Sequence, residues 1–167
     1  MSTDIEKLVR DAVKQIVETQ SEPAREKKSI ENISLSDAKY LAERVEQKAR
    51  EMGVNAVVAV SDEGGNLILL ECMDNSYIAS KDIAINKAYT VVALKMPTSK
   101  LAVLAAPGGS LYGIQHTNGG RIVIFGGGDP LELRGKIVGG LGVSGGSAEQ
   151  DTALSAYGRK IFEESFS

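Results

Sequence analysis

The chain has no tryptophan, one cysteine and one histidine, and its other aromatics are five tyrosines and three phenylalanines. A single thiol, Cys72, excludes an intrachain disulfide framework, and Cys72 with His116 falls short of a closed zinc site. No apolar run reaches the roughly 18 residues that span a bilayer. The N-terminus lacks the apolar core of a secretory signal. With 19 basic and 22 acidic side chains, the formal net charge is −3, so there is no basic footprint for nucleic acid. The expectation is a cytoplasmic protein with no nucleic-acid and no membrane partner. At 167 residues it has room for one compact domain and a short extension.

What the chain has in quantity is glycine, 18 residues, most of it from Gly108 onward. Tight turns and close backbone approaches are therefore expected in the C-terminal third.

Residues 1–20 read as an amphipathic helix, with Ile5, Leu8, Val9, Ala12, Val13, Ile16 and Val17 at helical spacing. Residues 21–29, "SEPAREKKS", are polar, contain Pro23 and read as a linker ahead of a domain over 30–167. That domain opens with a helix carrying a Ser34–Asp37 capping box, a stripe of Ala38, Leu41, Ala42, Val45 and Ala49, and a terminal Gly53. "VNAVVAVSD" and "NLILLECMD" form a hairpin around "DEGGN". A helix runs from about Ala79 to Leu94 and stops at Met96-Pro97. "TSKLAVLAA" is a short helix that Thr98 could cap. "RIVIF" reads as a third strand, "GGGDP" as a turn, and "LELRGKIVGGLGV" as two strands around Arg134-Gly135. The last helix runs from Ser147 to about Glu164, with a Ser147–Gln150 capping box. Strands clustered as hairpins predict an α+β domain with a central antiparallel sheet of about five strands.

Gly140, Gly142 and Gly145 stand at the spacing G-x-G-x-x-G of a dinucleotide-binding turn. That turn must open the first helix of a βαβ unit, with an acid about 20 residues on at the end of a second strand. Here only one helix follows before the chain ends, so the context fails. Two readings remain. The glycines serve close backbone approach and a turn, or the turn also presents the amides of Ser144 to Ala148, with Gly145 and Gly146, to an anion. "FGGGDP", with Gly126, Gly127 and Gly128, offers the same pair of readings.

The segments "DIAINKAYTVVALKMPTSKL", "GGRIVIFGGGDPLE" and "GKIVGGLGVSGGSAEQDTALSAYG" together resemble the GlcG/HbpS family of haem-degrading domains (DUF336). That family includes the C-terminal domain of PduO-type corrinoid adenosyltransferases, and the "FGGGDPL" version is closest to that branch. The resemblance covers about residues 33–162. It implies a profilin-like α/β/α sandwich, a homo-oligomer that is often an octamer, and haem binding in some members. It also implies a lysine at Lys87 that could meet a ligand's carboxylate, the alternative being a solvated helix face that Lys87 would share with Asp82. His116, in "YGIQHTNGG", is a candidate axial ligand for haem or a corrinoid, or an exposed loop histidine, with Tyr112 lining the same pocket or the core. Cys72 is a second candidate ligand or a structural cysteine. Met73 and Met96 are soft ligands or gap-filling core. The first twenty residues resemble the helices that carry cargo into bacterial microcompartments. Through residues 2–20 the chain would then bind a shell or cargo protein; the alternatives are a helix packed on its own oligomer and a membrane-surface helix.

No serine–histidine–acid triad or paired acids stand out. What the two resemblances imply is a ligand-binding accessory protein rather than an enzyme, associated with a microcompartment and holding haem or a corrinoid. An enzyme of haem, diol or cobalamin metabolism and a ligand-free oligomeric scaffold are the alternatives.

Overall fold

The computed structural model describes residues 32–166 and, ahead of them, Lys7. Apart from that lysine, the expected N-terminal helix over 1–20 and the linker over 21–29 lie outside the described residues.

Helix α1, Leu35–Glu51, starts where the capping box predicts. The Ser34 hydroxyl accepts from the Asp37 amide, and the Asp37 carboxylate accepts from the Ser34 amide. Its stripe of Ala38, Leu41, Ala42, Val45 and Ala49 is fully buried. Strands β1, Val57–Asp62, and β2, Leu67–Cys72, form the expected hairpin. Helix α2, Ile78–Leu94, follows, then the short α3, Thr98–Leu104. A loop with two 3₁₀ turns, Ile114–His116 and Asn118–Gly120, leads to β3, Gly128–Leu133. Strand β4, Lys136–Ser144, and helix α4, Ala148–Phe166, complete the described chain.

The sheet has four antiparallel strands in the order β2-β1-β4-β3. Helices α1 and α4 pack together on one face and α2 lies on the other, giving the three layers of an α/β/α sandwich. Alternation along β1 explains this. Val58 and Val60 face the α1/α4 core with Leu141, Leu154 and Phe162, while Val57 and Ala59 face Ala84 and Ala88 of α2.

The expected strand over "RIVIF" is corrected: residues 121–125 lie outside the sheet, and Arg121 is still in the helical region at the end of the second 3₁₀ turn. The place beside β4 is taken by 128–133, so the expected "GGGDP" turn is itself mostly strand: Gly128 pairs with Gly142 and Asp129 with Leu141. The Val123 amide donates instead to the Thr90 hydroxyl of α2, at 3.0 Å. Ile122 and Val123 are buried, so the apolar run marks burial rather than pairing. Thr98 is also corrected. It is the first residue of α3 without capping it, and its buried hydroxyl accepts from the Gly128 amide at 2.9 Å.

Gly140 and Gly142 of β4 answer the question of the glycine spacing. A Cβ on either would collide with the carbonyl of Ala88 or Ala84 in α2. Their missing side chains let α2 lie directly on the strand's backbone, and the Ser61 hydroxyl donates to the Ala88 carbonyl at 3.0 Å. The backbone that comes close is the protein's own.

Candidate functional site

The sequence candidates fall into two groups in space. The first gathers where α4 begins. Lys87 extends from the inner face of α2 and is fully buried, so it belongs to no solvated face. Its ammonium donates to the Val143 carbonyl at 2.7 Å and to Asp151 Oδ2 at 2.8 Å, and it lies 4.9 Å from the centre of the Phe125 ring. Burial pulls the Lys87 pKa below the usual lysine value, while the Asp151 carboxylate pulls the other way. Asp151 is itself buried, and its other oxygen accepts from the Gly146 amide at 2.8 Å.

The anion at the amides of the α4 turn is therefore Asp151. The Ser147 amide is also taken, by the Gln150 side chain, in the expected capping box. Ser144 is buried and bonded to Ser80. Gly145 lies against the Asn55 carbonyl. Of the three glycines at 126–128, Gly127 is the one whose backbone demands glycine. Its φ is +113°, and a Cβ there would strike Lys87, Val143 and Asp151. Gly126 packs against Thr152, and the Gly127 carbonyl accepts from the Val143 amide.

Sequence reading missed Asp151 as Lys87's partner, because 64 positions separate the two. The usable signal was the position of Lys87 among Ala84, Ala88 and Val91, a small apolar stripe that buries whatever lies within it. Asp129 was missed as well. It is buried on β3, accepts from Ser155 at 2.7 Å, and lies 3.7 Å from Arg159. Burial raises its pKa against the opposing pull of those two neighbours.

The second group lies on the loop between α3 and β3. His116 is exposed in the first 3₁₀ turn, with its Nε2 3.4 Å from the Gln115 Nε2. Tyr112 is 67 % exposed and Val103, on α3, 73 %. The Leu111 amide donates to the Leu104 carbonyl, which joins the loop to the end of α3. These side chains offer an imidazole with an aromatic and an aliphatic surface, none of it committed inside the domain.

The remaining candidates lie elsewhere. Cys72 is exposed at the end of β2, in a cleft of about 440 Å³ that it shares with Glu46, Arg50 and Asp74. The Met73 sulfur accepts from the Ala56 amide, Met96 is half-buried, and exposed Asp82 accepts from Asn86. A cleft of about 610 Å³ at the opposite end of the sheet is lined by Glu63, Val92, Lys95, Glu132, Lys136 and Ile137. Among the described residues, no group of three or more His, Cys, Asp or Glu side chains could hold a metal ion, and no helix is long and apolar enough to cross a membrane.

The family model described as haem degrading protein HbpS-like matches residues 33–160. An uncharacterized 15.0 kDa protein of Citrobacter freundii, from the dhaT-dhaS intergenic region, is 47% identical over 135 residues, 81% of this chain and 95% of that protein. The corrinoid adenosyltransferase PduO of Salmonella typhimurium is 33% identical over 148 residues, 89% of this chain but only 44% of that enzyme. Among solved structures, a PduOC–haem complex superposes with a TM-score of 0.74 at 34% identity, covering 77% of this chain and 94% of the other.

Proposed function

The chain belongs to the haem-degrading HbpS-like family, and on that premise we propose that it is an accessory protein that binds a planar metal-bearing macrocycle at the His116 loop. Haem is the occupant we favour, with a corrinoid as the alternative. The carrying observation is that His116 presents an unburied imidazole on the same loop as exposed Tyr112, a loop that the Leu111–Leu104 hydrogen bond joins to the end of α3, where Val103 is exposed. A neutral imidazole nitrogen is a natural axial ligand for haem iron. The macrocycle supplies four metal ligands of its own, which suits a chain without a metal-binding cluster among its described residues. The residues fit that axial role and apolar contact. They do not fit a carboxylate-bearing edge at Lys87 or at the Gly146 and Ser147 amides, whose bonds are already made within the protein. The haem bound by the solved PduOC domain supports the choice of ligand. The likeness to PduO keeps a corrinoid in play, although this chain spans less than half of that enzyme.

The working form is a homo-oligomer, with an octamer as the expected size. Ile78 and Tyr77, at the start of α2, are 96 % and 72 % exposed, and the edge strand β2 leaves Leu67 to Leu70 partly open. Exposed apolar surface of this kind asks for a partner. One histidine per chain means that two-histidine coordination would take two subunits. Residues 2–20, tethered by 21–29, deliver the assembly to a microcompartment by laying their apolar face in a groove of a shell or cargo protein.

Titration of the purified protein with hemin, followed by absorbance, tests the central claim. A saturable shift of the Soret band that weakens in His116→Ala supports it, and no shift in either protein ends it. Adding a reductant separates holding from degradation, since a catalyst would bleach the band. Deleting residues 2–21 tests delivery. Unchanged encapsulation would remove that role.

A further inference from the structure

We propose that Asn118 is a site of spontaneous covalent modification in the folded protein, converting to isoaspartate and aspartate through its bond to Gly119. The reaction needs an asparagine followed by an unhindered residue whose amide is free to attack. Asn118, Gly119 and Gly120 are all exposed in the second 3₁₀ turn. The backbone hydrogen bonds of this turn are donated by Gly120, to Thr117, and by Arg121, to Asn118. The Gly119 amide, lying between them, donates none. Apart from its immediate chain neighbours, no atom lies within 4 Å of a Cβ position at Gly119 or Gly120, so no other part of the protein crowds the attacking nitrogen. Asn118 is held at φ +50°, and Gly119 at +66°. Positive φ in a residue other than glycine carries local strain, which backbone rearrangement relieves.

The chemistry balances with water as the only reactant. The Gly119 nitrogen gives up its proton and bonds to Asn118 Cγ. The Cγ–NH₂ bond breaks, and the nitrogen leaves with that proton as ammonia. Water then opens the resulting ring at one of its two carbonyls. One opening gives aspartate in the normal chain. The other gives isoaspartate, whose backbone is one methylene longer. Either product adds one negative charge two residues from His116.

The rest of the molecule supplies internal controls. Asn66 is held by both oxygens of Asp62 and is followed by leucine, and Asn86 donates to Asp82 and is followed by Lys87. Asn55 precedes alanine and Asn75 precedes serine. Only Asn118, among all the asparagines of the sequence, precedes glycine.

The full-length protein is incubated at mildly alkaline pH, digested and mapped by mass spectrometry, with a synthetic peptide of residues 112–124 as the unfolded reference. Conversion is expected at position 118, with isoaspartate in excess of aspartate and a more acidic band on isoelectric focusing, while residues 55, 66, 75 and 86 stay intact. Asn118→Gln should abolish the change, because its cyclisation needs a larger and slower-forming ring. Gly119→Ala, which crowds the attacking nitrogen, should slow it by roughly an order of magnitude. If position 118 stays asparagine in the protein while the peptide converts, the fold protects it and the proposal fails. Equal conversion at the other asparagines overturns it too. The proposal stands independently of whether the loop binds a macrocycle.

Discussion

The turn into α4 and the loop between α3 and β3 are both rich in glycine and both held candidate ligand-binding residues, yet they differ in what they have left to offer. At the α4 turn the candidate side chains and the Gly146 and Ser147 amides have found partners within the protein. Lys87 bonds to Asp151 and Val143, Gly146 to Asp151, Ser147 to Gln150, and Ser144 to Ser80. At the loop, His116 and Tyr112 stand in solvent with their chemistry unspent. A lysine, a glycine turn and a helix N-terminus describe an anion site only when the anion comes from outside. Here the protein supplies its own, and the result is a fastening between α2 and α4.

The sharpest way to break this comparison is to remove the fastening. Lys87→Met leaves the Asp151 carboxylate buried beside an apolar side chain. Unpairing a buried charge in this way should cost about 3–5 kcal/mol in a denaturant titration. Adding Asp151→Asn removes the charge but keeps an acceptor for the Gly146 amide, so the double variant should recover more than half of that loss. If the single variant loses less than about 1 kcal/mol, the pair is no fastening and Lys87 returns as a ligand-binding candidate. Next in size is Gly142→Ala. Its new methyl group would collide with the Ala84 carbonyl and push α2 off β4. Overpacking of this kind typically costs about 1–3 kcal/mol, read as a lower unfolding midpoint.

The same contrast explains what could be read in the sequence. Local devices were legible, because their partners lie within a few residues. Both capping boxes form as expected, and the turns at 62–66 and 134–135 join the strands they separate. Residues 121–125 misled because β-branched side chains report burial, whereas pairing depends on which segment occupies the edge of β4. That segment begins at Gly128, behind a turn that passes through the positive φ of Gly127. Lys87 was ambiguous for the same reason, since what settles its role is an aspartate on another helix. His116 was legible as a candidate because it is the chain's one histidine.

A third change probes the outer face of the α1/β2 layer. Glu71 is partly buried beside Glu46, and burial followed by that like charge raises its carboxyl pKa. A raised acid favours the folded state fully only below the unfolded pKa, and that contribution is lost as pH rises through the higher folded value. Glu71→Gln should therefore be slightly more stable than the wild type at neutral pH. The difference should vanish as pH falls below the ordinary glutamate range, which thermal unfolding at the two pH values would record. Equal gains at both values would mean that packing, rather than charge, is responsible.

The smallest effect on stability is expected at the residue with the largest expected effect on binding. The His116 side chain is exposed, and its polar contact is the marginal approach to Gln115 at 3.4 Å. Truncating it removes little that holds the fold, so His116→Ala should unfold within about 0.5 kcal/mol of the wild type. A residue kept for architecture would behave like Lys87, whereas one kept for a ligand should leave stability untouched and change only the hemin titration. If His116→Ala proves as costly as Lys87→Met, the loop is a structural element like the α4 turn. The distinction between a spent and an unspent site would then fail where it matters most.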